Sequence, residues 1–247
     1  WCPSAGRTPT LTGAGEALLE HAFGIAAGLD EMRAHAHQIA GGLEPVVSLA
    51  VDTFFPTNIL LDALTHLGVA HPDLPIRLRS ESLGGVAAAV LEGSCRVGIS
   101  GPLPQRSRDG LEVTPYCRTR IVAVVGSGHA LAQIEDPSIE HLRAYVQLVL
   151  SDRSELTRDR STAVLDGRRW SFADSAVRRA ALLHGIGWCH MPQHMVDDEL
   201  RNGRLVRLCV TSEPLWHAHF LVHRTGEPPG PATAALLERV RVSCDVA

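Results

Sequence analysis

Thirteen histidines and six cysteines are the residues of this chain best equipped for metal or nucleophilic chemistry. His190 and His194 are four apart, and His217, His219 and His223 share strand parity. A metal needs convergent ligands with a supporting second layer. Pro192 breaks the helix that would align the first pair, and the strand histidines are expected along one solvated or half-buried face. No metal site is therefore expected. Ser127 and His129 lie in "VVGSGHA", which lacks the G-x-S-x-G elbow and specifies no acid, so a hairpin tip or loop is the better assignment. The cysteines (Cys2, Cys95, Cys117, Cys189, Cys209 and Cys244) contain no C-x-x-C pair and are scattered, as reduced, mostly buried thiols would be. A redox-sensing pair is the lesser alternative. "SLGGVAAAV" does not match a phosphate loop, and all 23 basic residues are arginine. These patterns specify no nucleophile, acid–base pair, metal or cofactor.

What remains is binding chemistry at strand ends. Asp52, Thr53 and Phe54 follow one apolar run, where a helix N-terminus would offer unpaired N–H groups. Ser100 and Gly101 end a second run; Ser151, Asp152 and Arg153 end a third; Met191 and Pro192 stand at a strand-to-helix joint. Together they could surround a small polar or anionic ligand, with Phe54 closing an apolar side. Arg153 is the foremost candidate to bind a carboxylate, because its planar fork pairs with it in a bidentate way. Its alternative partners are Asp152, Glu155 or a surface acid.

The elements that must position these residues follow from the rest of the chain. A length of 247 residues allows roughly one or two domains. The hydrophobic share of 45% and charged share of 20% are those of a globular protein, and the net charge of −4 argues against a basic nucleic-acid-binding surface. No apolar run approaches the roughly 20 residues that cross a bilayer. A soluble, cytoplasmic protein is expected.

Thr12 can cap a helix with Glu16 in its first turns. Leu18, Ala22, Ile25, Leu29, Met32, Ala36, Ile39 and Leu43 then recur in steps alternating four and three, a heptad seam that would face a partner helix. Gly41-Gly42 and Pro45 supply the stop. The alternative is an amphipathic helix lying on its own domain.

From Val46 onward the texture is α/β. "VVSLAVD", "DLPIRLRSE" and "RVGISG" read as strands, and "TNILLDALTHLGVAH", capped by Thr57 or Asn58, and "LGGVAAAVLEG" as helices between them. "LEVTPYC" and "RTRIVAVVG" read as two further strands. A second unit follows, including a helix "DSAVRRAALLHG" capped by Asp174 or Ser175 and a helix "PQHMVDDELRNG" starting at Pro192. Runs near Cys117–Ile121 and Trp216–His223 could pass between the units. The expected fold is therefore α/β, a two-lobed clamshell with its ligand site in the cleft.

The chain resembles the LysR-type transcriptional regulators of bacteria. Leu11, Thr12, Gly13, Ala14, Gly15, Glu16, Ala17, Leu18 and Leu19 match that family's L-T-x-A-G-x-x-L-L at the junction of its winged helix-turn-helix and linker helix. "LTHLGVAHPDLPIRLRSESLGGVAAAVLEGSCRVGIS" and "LLHGIGWCHMPQHMVDDELRNGRLVRL" resemble its two effector lobes, although Arg96 stands where the family often has Asp. The resemblance implies a periplasmic-binding-protein-like (type 2) clamshell behind a long linker helix. It divides the chain into a wing remnant (1–11), a dimerising linker helix (12–44), lobe 1 (45–118 and 222–247) and lobe 2 (119–221). It also implies promoter DNA as the partner of the complete protein, a homodimer or homotetramer, a small-molecule effector and no membrane. Arg7 would be a phosphate contact remaining from the wing. The DNA-reading helices would precede Trp1, so a truncated chain or an incomplete gene record is expected. The rival classes are a stand-alone solute-binding protein, which would need an export signal and no heptad helix, and an enzyme on the same fold.

Overall fold

The computed structural model describes residues 12–16, 18, 19, 21, 22, 25, 29, 32, 36, 40, 42–151, 164–210 and 215–244. Ile39 and Arg7 lie outside the described residues, as do Asp152 and Arg153.

The first unit is built from β1 (Val47–Asp52), α1 (Thr57–Ala70), β2 (Ile76–Glu81), α2 (Gly85–Leu91) and β3 (Val97–Ser100). β1 pairs in parallel with both β2 and β3. That central position buries five of its six residues and explains its near-continuous apolar sequence. β2 forms an edge: Ile76 and Leu78 are 37% and 42% exposed, so its alternation does not separate a buried face from a wet one. α1 is capped at Pro56 with no side-chain hydrogen bond; neither Thr57 nor Asn58 caps it. The φ that proline fixes suits entry into a helix, and the turn through Phe54 and Phe55 brings the chain there.

β4 (Leu111–Gly126) is one strand, not two. Its two halves are separated by a register shift between Pro115 and Cys117. Proline has no N–H for the ladder, so the sequence signal that suggested two strands marks a bulge. The second unit comprises α3 (Ile139–Ala144), β5 (Gln147–Leu150), β6 (Arg169–Phe172), α4 (Ser175–Leu183), β7 (Trp188–Pro192), α5 (Asp197–Arg201) and β8 (Leu205–Leu208). The expected helix beginning at Pro192 is shorter: Pro192 ends β7 opposite Ile121, a 3-10 turn spans Gln193–Met195, and α5 starts at Asp197. β9 (Leu215–Arg224) and α6 (Pro231–Cys244) return the chain to the first unit.

The strand order is β2-β1-β3-β9-β4-β7-β5-β6, with β8 on β4. β4 and β9 run antiparallel from Leu111↔Arg224 to Ile121↔Leu215, and they carry the sheet from one lobe to the other. Phe220 and Leu221 already ladder with β3. Each lobe has an apolar cluster on both faces of its part of the sheet. Tyr116, at the bulge, donates to the Leu237 carbonyl at 2.6 Å and ties the crossover to α6.

Ahead of β1, Thr12 Oγ1 accepts from Gly15 N at 3.2 Å, the expected capping bond. The described seam residues from Leu18 to Ala36 are helical and exposed, with Leu18 72%, Ile25 75% and Met32 62% accessible. Leu43 instead packs on the first-lobe core. Glu44, beside it, accepts from Ala232 N at 3.0 Å and Thr233 N at 2.6 Å, which caps α6.

Candidate effector site between the lobes

The end of β1 supplies the first wall. Asp52 is 4% exposed. Its Oδ1 accepts from Phe54 N at 2.7 Å and its Oδ2 from Gly101 N at 3.1 Å. These bonds fix the carboxylate and turn the chain, so Phe54 projects over the cleft. Gly101 has no room for a side chain: a Cβ there would lie 2.6 Å from Asp52 Oδ2 and 2.8 Å from His217 Nε2. Ser100 and Gly101 thus stand behind Asp52 and shape its seat. His217, on β9, brings Nε2 to 3.6 Å from Asp52 Oδ2 and sets its ring edge-on to Phe54 at 5.2 Å.

The histidine row differs from expectation. His219 is 1% exposed, not solvated or half-buried. It bonds Thr119 Oγ1 at 2.9 Å and meets Phe55 at 5.2 Å. Burial pushes its pKa down to about 4, partly offset by the Asp52 charge. Among the described residues, no group of three or more His, Cys, Asp or Glu could hold a metal.

α4 supplies the second wall. Asp174 caps it by accepting from Val177 N at 2.9 Å, and Ala181 and Leu182 face the core. Arg178 shares that face, three and four residues before them. It is 4% exposed, its guanidinium stands 5.3 Å over the Phe54 ring, and Nη2 donates to Met191 Sδ at 2.9 Å. Its Nε is buried without a hydrogen-bond partner among the described residues. Burial lowers the Arg178 pKa from its ordinary value, yet a guanidinium remains charged at neutral pH. His190, on β7, is pushed down to about 4 by burial and then by the Arg178 charge, so it faces the cleft as neutral imidazole.

Between these walls lies a cavity of about 80 Å³. Asp52, Phe54, Arg178, His190 and His217 line it with the apolar side chains of Leu83, Leu148, Val149, Leu150 and Val164. Leu83 adopts a left-handed φ of 52°. That conformation is uncommon for leucine and turns the chain out of β2 onto the wall. A wider mouth opens beside the cavity, where Thr53 Oγ1 lies 3.4 Å from Ser82 Oγ, opposite Asp174, Ser175 and Arg179. Arg179 is held by the buried Glu199 carboxylate, which Arg204 also reaches at 2.9 Å.

Asp52 and Phe54 therefore line the cavity itself and Thr53 its mouth. Ser151 is half-buried and donates its N–H to Phe172 O at 2.7 Å. Met191 is fully buried in the second-lobe core, where its sulfur takes the Arg178 bond; Pro192 is buried at the end of β7. Neither faces the cavity, because both belong to the layer behind it. Arg178, His190 and His217 were not among the expected contacts. The available signal was an arginine on the apolar stripe of "SAVRRAALL".

The model of the LysR substrate binding domain matches residues 40–245. The HTH-type transcriptional regulator AceR of Acinetobacter baumannii is 24% identical over 200 residues, covering 80% of this chain and 66% of AceR. The chain thus spans about two thirds of that relative's length. The effector binding domain of QuiR in complex with shikimate superposes with a TM-score of 0.66 at 12% identity, covering 81% of this chain and 97% of that one. A mutant of full-length BenM gives 0.64 at 15% identity, covering 99% of this chain and 82% of BenM. The solved structures establish the two-lobed periplasmic-binding-protein-like fold, and the family match over most of the sequence establishes descent: the chain belongs to the LysR family and carries its substrate-binding domain.

Proposed function

We propose that this chain is the effector-sensing part of a cytoplasmic LysR-type transcriptional regulator with no catalytic role, and that a small anionic molecule in the interlobe cleft is its signal. One observation carries the ligand class: Arg178 is a buried cation on the cavity wall whose Nε has no hydrogen-bond partner among the described residues. A buried charge without a counter-charge is costly, and an anion entering the cavity supplies one. The shikimate bound by QuiR carries a carboxylate, which agrees with this ligand class. Asp52, Thr53 and Phe54 act at the cleft, Ser100 and Gly101 shape it, and Ser151 follows the end of β5; Asp152 and Arg153, outside the described residues, remain proposed ligand contacts. Met191 positions Arg178 through its sulfur, and Pro192 closes the strand that carries Met191.

In a complete regulator of this family, promoter DNA would be the partner, and Arg7, outside the described residues, is a proposed phosphate contact. The proposed division is two lobes, 45–118 with 222–247 and 119–221, with 12–44 as the linker region. Its seam pairs two copies, in a dimer or a tetramer. Effector binding acts by preferring one arrangement of the lobes. Calorimetric titration with a panel of small carboxylates tests the site: a member binds the wild type and loses its affinity in Arg178→Met. Failure of every carboxylate, or equal binding by the variant, removes the assignment. Sedimentation of the wild type against Ile25→Glu tests the seam, which predicts an oligomer converted to monomer.

A further inference from the structure

The two walls of the cavity carry opposite charges that do not meet. Arg178 and Asp52 are each 4% exposed and line the same space, yet no ion pair joins them among the described residues. Arg178 spends its contacts on a sulfur and an aromatic ring. Asp52 accepts two backbone N–H groups, and its nearest cationic candidate, His217 Nε2, stands at 3.6 Å, beyond a hydrogen bond. A simple anion would neutralise Arg178 and bring a second negative charge into the same cavity as Asp52. That repulsion works against binding. A ligand with a carboxylate at one end and an ammonium at the other answers both walls at once.

Resting on the anionic reading of the cleft, we infer that the effector is a small amino acid, its carboxylate on Arg178 and its ammonium on Asp52. The Phe54 ring and the aliphatic residues of β5 take its short apolar part. The cavity of about 80 Å³ suits a small ligand. An ammonium has three donors, and the Asp52 carboxylate retains unused lone pairs beyond the two taken by backbone N–H groups. Charge-assisted bonds at both ends select against molecules that offer only one of the two groups.

The experiment compares isosteres that differ only at nitrogen. Alanine and 2-aminobutyrate are titrated against isobutyrate and 2-methylbutyrate, in which a methyl replaces the ammonium, together with the ω-amino acids β-alanine and γ-aminobutyrate. Calorimetry on the wild-type chain is expected to show at least one amino acid binding about tenfold or more tightly than the matching plain acid. Asp52→Asn, checked for folding by circular dichroism, is expected to erase that preference by weakening the amino acids and tightening the plain acids, because it removes both the ammonium partner and the repulsion. Plain acids that bind as tightly as their amino counterparts, with an affinity that depends on Arg178, overturn the inference and leave the anionic site standing. Binding by neither class overturns both. If Asp52→Asn does not fold, the isostere comparison on the wild type decides alone.

Discussion

The two walls of the cleft hold their charged groups by different means. On the first-lobe wall the backbone does the work: Asp52 is fixed by N–H groups of Phe54 and Gly101, one two residues away and one just past the end of the neighbouring strand. On the second-lobe wall side chains do it: Arg178 reaches inward from α4 and rests on Met191 and on Phe54 of the opposite lobe. A backbone-fixed carboxylate keeps its position whether the lobes open or close. A cation resting on an aromatic ring of the other lobe changes surroundings when they do. On the proposed effector reading, the contrast would give Asp52 the anchoring role and Arg178 the sensing one.

Removing the sensing charge gives the largest expected effect. Arg178→Met should cost about 2–5 kcal/mol of binding free energy for an anionic ligand. Without ligand the same variant should be as stable as the wild type or more so, because an apolar chain of similar length replaces a buried charge that has no ion pair among the described residues. Paired calorimetry and thermal melts check both halves, and a melting point lowered by many degrees would contradict the second.

Acid is the next lever, and it separates the hinge from the wall. His219 and His190 have folded pKa values near 4, against 6.5 when free. The unfolded chain therefore binds more protons between those limits, and stability falls as pH drops from about 6.5 to about 4, then levels. Each histidine contributes on the order of 1–3 kcal/mol to that loss. Urea melts across the window should show the slope, and His219→Gln should flatten part of it. Arg178→Met should raise the His190 pKa measured by NMR while leaving His219 in place, since of these two histidines only His190 feels the Arg178 charge.

Gly101→Ala tests the anchor without touching α4. The added methyl collides with Asp52 and His217, so about 1–3 kcal/mol of stability should be lost, and ligand affinity with it. Breaking the exposed Arg201–Asp198 pair with Arg201→Ala should change stability by no more than about 0.5 kcal/mol and binding not at all. A larger shift there would mean that surface charges, not the walls, govern the cleft.

The anchoring wall was legible in the sequence because its logic is local. An apolar strand ending in Asp-Thr-Phe-Phe-Pro announces a turn, and Asp52, Thr53 and Phe54 fall where ligands are met at the ends of parallel strands. The α/β order and the Asp174 cap were legible for the same reason. Arg178 was not, since an arginine within an amphipathic helix can extend to water as readily as to a cavity. Nor was the burial of His219, which depends on Phe55 and Thr119, the latter 100 residues away in sequence. The single long β4 was misread because Pro115 signals a strand break in sequence but a bulge in the sheet.

By itself the sequence determined most of the elements, the parallel order of β1, β2 and β3, and the family they belong to, because periodicity, caps and turn residues act over a few positions. Only the tertiary structure decided which charges share the cleft. Burial and counter-charge arise from segments far apart in the chain, and the cost of burying an unpaired charge exists only once they close around it.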